Sequence, residues 1–209
     1  MSRDPIVASP EWATTVIIAS GPSRSADQLE LVREARERNT CRVIAINREW
    51  EWAPWADVIY AADPKFWRIY GERICREFDG CRWTGSEGAS APLPLCYVRC
   101  RGFPGLSRDP TLIHGGQNGG YQAMNLAYHF GARRRIVLVG FDMQYSGGRA
   151  HHFGDHDAEL GQAADPSKWV PLFKPLAADL AQAGVDVVNC SGATALTCFR
   201  RGDLAEALA

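Results

Sequence analysis

The sequence predicts an α/β fold: one domain in which helices cover both faces of a mostly parallel, twisted sheet. Three observations carry that expectation. Short β-branched apolar runs alternate with polar-amphipathic segments along the chain. Each run stays apolar until its last residue turns small or polar, which suits strands buried on both faces. The 209 residues are 46% hydrophobic and 22% charged, enough apolar content for one substantial core.

T-T-V-I-I-A, Thr14 to Ala19, reads as the first strand and stops abruptly in S-G-P-S. Ser25 to Asn39 brings Leu29, Leu31, Val32 and Ala35 near helical spacing, with Ser25 or its neighbour placed to cap the helix. A second strand, C-R-V-I-A-I-N, ends at Asn47, and a third, D-V-I-Y-A-A-D, ends at Asp63. From Gly71 to Pro110 Gly, Pro, Cys and Trp are scattered without a period, so this stretch reads as an irregular insertion with one short strand around Leu95 to Val98. G-G-Q-N-G-G then leads into a helix through Y-Q-A-M-N-L-A-Y-H-F, stopped by Gly131, and R-I-V-L-V-G-F-D follows as a strand. A histidine-rich loop at about 145–167, a helix from about Trp169 to Ala183 and a strand ending near Asn189 complete a Rossmann-like three-layer sandwich.

The formal net charge of −1 supplies no general field for nucleic acid or anionic lipid, so neither is an expected partner. No segment approaches ~20 consecutive apolar residues, and the N-terminus lacks the layout of a signal peptide, so a cytoplasmic protein is expected, with room for a homo-oligomer. Seven cysteines without a C-x-x-C pair point to reduced thiols rather than a disulfide framework or a cysteine zinc site.

In open α/β sheets ligands bind beyond the carboxyl ends of the strands, and here those ends are Gly21-Pro22-Ser23, Asn47, Asp63 and Asp142. The S-G-P-S turn suits a phosphate, since Gly lets the backbone approach and a helix start favours an anion; it equally suits a plain strand-to-helix turn. In G-G-Q-N-G-G the glycines permit close passage to a ligand, while Gln117 and Asn118 donate and accept hydrogen bonds. R-A-H-H-F-G-D-H-D, Arg149 to Asp157, packs three of the five histidines. Its readings are a catalytic base, a metal site and a polar surface loop; Gly154 disfavours the helix that H-x-x-x-H metal binding requires. Trp50, in R-E-W-E-W, is either packing or an aromatic platform beside Asn47.

Taken together, I-I-A-S-G-P-S, A-I-N, the glycine-rich loop, R-I-V-L-V-G-F-D and H-x-x-x-H resemble the bacterial sialyltransferases of the Campylobacter type. They also resemble the broader set containing 6-hydroxymethylpterin diphosphokinases and motility-associated glycosyltransferases. A-P-W-A-D, L-S-R-D-P, G-Y-Q-A-M-N-L-A and A-L-T-C-F are similar to stretches in a group of phage and prophage proteins, a likeness that names no activity. The sialyltransferase resemblance implies a cytidine monophosphate sugar donor and inverting transfer to a hydroxyl without an obligatory metal. It implies nucleotide contacts from Gly21, Pro22, Ser23, Asn47, Asn118 and Gly119, with Asp63 standing where that family has an asparagine. Asp142 matches the aspartate of its G-I-D stretch, and Tyr145 lies one residue beyond a tyrosine that holds the leaving phosphate. His152 and His156 repeat the H-x-x-x-H spacing, the second being that family's general base; it lies between Asp155 and Asp157, either of which is placed to orient it. His151 reads as a bystander.

The first expectation is therefore a nucleotide-sugar-dependent glycosyltransferase. A diphosphokinase with Mg²⁺ held by Asp63, Asp142 or Asp155, and a non-catalytic nucleotide-binding module, are the alternatives.

Overall fold

The computed structural model describes residues 5–89, 93–145, 147–154, 160 and 165–209. Its centre is β1 (Thr14–Ile18), every residue of which is buried. A sharp turn leads to α1 (Ala26–Glu37), where Ser25 Oγ accepts from Gln28 N and the Gln28 side chain accepts from Ser25 N, a complete capping box. The chain then steps outward through β2 (Arg42–Ile46), β3 (Val58–Tyr60), α2 (Pro64–Glu77), β4 (Cys81–Thr84) and β5 (Cys96–Tyr97). A small separate pair, β6 (Arg99–Arg101) and β7 (Leu112–His114), precedes α3 (Gly119–Phe130). After α3 come β8 (Arg135–Val139), α4 (Phe173–Gln182), β9 (Asp186–Asn189), β10 (Arg200–Arg201) and α5 (Leu204–Leu208).

The large sheet has eight strands in the order β10-β9-β8-β1-β2-β3-β4-β5, with every pair parallel. Side chains alternate across a strand, and the alternation divides the core in two. Val16, Ile18, Val43, Ala45, Val137 and Val139 pack with Val32 of α1, Ile74 of α2 and Leu204 of α5. Ile17, Ile44, Ile136 and Leu138 pack with Met124 of α3 and Leu176 of α4 on the other face. That is the three-layer α/β arrangement expected.

Between Gly71 and Pro110 the expectation of irregular structure is corrected. α2 runs on to Glu77, and β4, β5 and β6 follow it; the short strand expected near Leu95 is β5. Gly71 obscures the helical period, yet it sits inside α2 because a Cβ there would meet Leu93 Cδ1 at 2.2 Å. α4 begins at Phe173, later than expected, after single turns at Pro166–Lys168 and Val170–Leu172. Gly131 ends α3 as expected, at φ 127°. Among the described residues no helix is long and apolar enough to cross a membrane.

From β1 the chain first builds strands on one side of the sheet and then returns to lay β8 on the other. The topological switch point therefore lies between β1 and β8, where the loops leaving two adjacent strands diverge and open a crevice.

Candidate functional site

Parallel pairing puts the carboxyl ends of all the strands on one edge, so residues far apart in sequence converge there. A cavity of about 240 Å³ lies at the switch point, and six of the expected residues are in its wall: Gly21, Asn47, Gln117, Asn118, Gly119 and Asp142. Ser20, Met143, His151 and Trp169 complete much of the rest. A second groove of about 510 Å³ adjoins it and shares Met143, Gln144 and Pro166 with it. The first cavity, at about 240 Å³, is smaller than most ligand sites, which span roughly 300 to 1,000 Å³. It suits one nucleoside-sized part of a ligand, with the groove beside it for the remainder.

Backbone strain concentrates here. Four described non-glycine residues adopt positive φ, and three of them line the cavity: Asn47 at 52°, Gln117 at 55° and Met143 at 49°. A left-handed residue with a side chain is disfavoured, and such strain persists where the surroundings enforce it, often at functional sites. Asn47 turns the chain from β2 into the one-turn helix Asn47–Glu51. Gln117 turns the loop before α3, whose first residues Gly119 and Gly120 line the cavity. The positive end of that helix is thus directed at the cavity. Asn118 Oδ1 accepts from Gly120 N at 2.8 Å and Tyr121 N at 3.2 Å, so its carbonyl caps the helix. Two of the glycines serve packing: a Cβ on Gly116 would meet the Tyr121 ring at 2.2 Å, and one on Gly120 the Phe141 ring at 2.6 Å.

The G-P-S turn proves to be a structural joint. Gly21 N donates to Gly140 O at 2.9 Å, while Ser23 N and Ser23 Oγ donate to the two carboxylate oxygens of Asp142 at 2.8 and 2.6 Å. Ser23 Oγ also accepts from Gly192 N at 2.9 Å, bringing in the loop after β9. The Gly21 and Ser23 N–H groups are thereby committed within the protein, so this turn does not offer them to an anion. Asp142 is 1% exposed, and burial holds its carboxyl above the usual range against the opposing Ser23 hydrogen bonds and Arg201. Ser23→Ala should cost about 1–3 kcal/mol, because Asp142 and Gly192 N lose partners in a part-buried site. A lower urea midpoint at unchanged slope is the expected observation.

Besides Ser23, four described residues among those expected lie outside this cavity's wall. Pro22 lies in the turn beside the cavity but not among its walls. Asp63 is exposed and caps α2 by accepting from Lys65 N at 2.8 Å. Tyr145 is 49% exposed and lines the adjoining groove. His152 turns away from the cavity toward Glu49 and Arg24. Asp155 and His156 lie outside the described residues. His151, read from sequence as a bystander, is instead in the cavity wall with Nδ1 2.8 Å from Ser20 Oγ. Trp50 is 2% exposed in the core, and its neighbour Trp52 is the ring that meets the histidine loop.

The loop after β9 was missed as well. Ser191 Oγ accepts from Phe141 N at 2.7 Å, and Thr194 Oγ1 donates to Phe141 O at 2.6 Å, fixing the strand end that carries Asp142. The signal was present in N-C-S-G-A-T, a polar and small strand end like the others. Among the described residues no group of three His, Cys, Asp or Glu side chains is placed to hold a metal ion. Asp63 and Asp142, two of the carboxylates named for Mg²⁺, do not meet in this cavity. The sequence matches no protein-family model and no curated protein.

Proposed function

We propose that this chain is a nucleotide-sugar-dependent glycosyltransferase whose donor is of the cytidine monophosphate type. The observation that carries the reading is the strained, amide-lined cavity at the β1–β8 switch point. Asn47 and Gln117 bring neutral groups that both donate and accept, and Asn118, whose carbonyl caps α3, brings its amide N–H groups, which suits the edges of a base and the hydroxyls of a sugar. The N-terminus of α3 suits the phosphate, whose charge grows as it leaves. In inverting transfer the acceptor oxygen attacks the anomeric carbon, its proton passes to a base, and the nucleotide departs with the bonding pair. The resemblance assigns the base to His156; the imidazole described in the cavity wall is His151. The adjoining groove past Met143 and Gln144 is the natural course for the transferred sugar or its acceptor.

A thermal-shift panel of CMP, CDP, UDP, GDP, ADP and ATP, each with and without Mg²⁺, tests this. CMP without metal is expected to raise the melting temperature, since a ligand that binds only the folded state at 100 times its Kd adds about 2.7 kcal/mol. A response confined to ATP with Mg²⁺ would transfer the reading to a diphosphokinase. Silence across the panel would sink both.

A further inference from the structure

Besides Asp142 in the cavity wall, a second set of buried charged side chains lies outside that wall. Arg24 follows the turn after β1, Glu49 lies in the one-turn helix after β2, and His152 belongs to the histidine loop. The Glu49 side chain is 0% exposed and that of Arg24 5%. Arg24 Nε lies 3.0 Å from Glu49 Oε2, and His152 Nε2–H donates to Glu49 Oε1 at 2.8 Å. Arg24 Nη2 rests against the same imidazole, 3.1 Å from Nδ1 and 2.5 Å from Nε2.

Replacing such a buried cluster by apolar side chains of equal volume is often neutral for stability, which directs attention to what its contacts orient. His152 N donates to Ser20 O at 3.0 Å, and its ring turns inward to Glu49. The adjacent His151 faces the other way, onto Ser20 Oγ and the cavity. Trp52 backs the arrangement, edge-on to His152 at 4.5 Å and stacked on Phe153 at 5.4 Å. The elements tied together carry Ser20, Asn47 and His151, three parts of the cavity wall.

We infer that Arg24, Glu49 and His152 form a positioning cluster that docks residues 150–154 against the end of β1 and presents His151 to a nucleotide in the cavity. The inference rests on the proposed function only for the identity of that ligand. The cluster itself does not touch the ligand; it sets the distance between the His151 wall and the Asn47 wall.

Hydrogen exchange on the full chain tests it, using His152→Phe and His152→Gln. Phenylalanine keeps ring packing on Trp52 and loses the polar contacts, whereas glutamine keeps a neutral donor for Glu49. In His152→Phe the peptide covering 150–154 should exchange about tenfold faster or more while β1, β2 and β8 keep their protection. His152→Gln should return the loop to within about threefold of wild type, and CMP, used as the probe, should bind His152→Phe about tenfold more weakly than wild type. Exchange that rises equally throughout the chain, a loop that keeps its protection, or a glutamine variant that behaves like phenylalanine would each overturn the inference. If wild type itself binds no CMP, the proposed function fails, and loop exchange alone decides the positioning role.

Discussion

Glu49→Ala is expected to lower stability by about 3–5 kcal/mol, a large share of the roughly 5–15 kcal/mol that holds a domain of this kind. The carboxylate is the ion-pair partner of Arg24 and the hydrogen-bond acceptor of His152. Without it the guanidinium stays buried with no opposing charge among the described residues, next to an imidazole that also loses its acceptor. Burial already draws Arg24 below the ordinary arginine range, opposed by its contact with Glu49, so removing Glu49 leaves only the unfavourable part. The double variant Arg24→Met, Glu49→Leu removes both charges and should lie within about 2 kcal/mol of wild type, since the cost of the single change comes from stranding one charge. Urea unfolding of the two variants measures the difference. A Glu49→Ala loss under about 1 kcal/mol would show the cluster to be solvated and would remove its energetic basis.

What the sequence disclosed follows from which interactions are local. β1, α1, β2, α3 and β8 were legible because β-branched runs, the Ser25 cap and the Gly131 stop are written into neighbouring residues. α2 was not, because the Gly71 that interrupts its pattern is required by Leu93, a contact across the fold. The strand-end rule gathered Gly21, Asn47 and Asp142 into one cavity, since a parallel sheet places those ends together whatever their separation in sequence, and the glycine-rich loop added Gln117, Asn118 and Gly119. The same rule misassigned Asp63. Asp63-Pro64 at the start of a helix is a local cap signal, and the carboxylate accepts from Lys65 N two residues on. Which donors are taken was beyond local reading: the turn holding Ser23 is bonded to Asp142, 119 positions away, and His152 to Glu49, 103 positions away. Nothing in H-H says that one ring faces a cavity and the other a buried carboxylate.

Gly21→Ala is expected to cost about 3 kcal/mol, at the upper end of what overpacking usually brings. A Cβ at Gly21 would lie 2.4 Å from Asp142 Oδ1 and 2.4 Å from Gly140 O. Neither neighbour can yield cheaply: Gly140 O accepts from Gly21 N, and both Asp142 oxygens are held by Ser23. Relief would have to come from parting the ends of β1 and β8, which widens the cavity they frame. Gly119→Ala offers the contrast, because its Cβ would stand 3.3 Å from Ile46 Cγ2 and 4.0 Å from Asn47 Nδ2, at the first turn of α3 where alanine is a good helix former. Its stability should stay within about 1 kcal/mol of wild type, while CMP binding weakens as the methyl group enters the cavity wall. Thermal unfolding and CMP titration of the pair therefore separate two roles that one glycine-rich sequence pattern merges. If Gly21→Ala keeps wild-type stability, the close approach of the two strand ends is not what requires glycine there. If it is destabilised as expected, glycine is required at position 21 by the packing of the two strand ends, which Asp142 and Ser23 join behind the cavity.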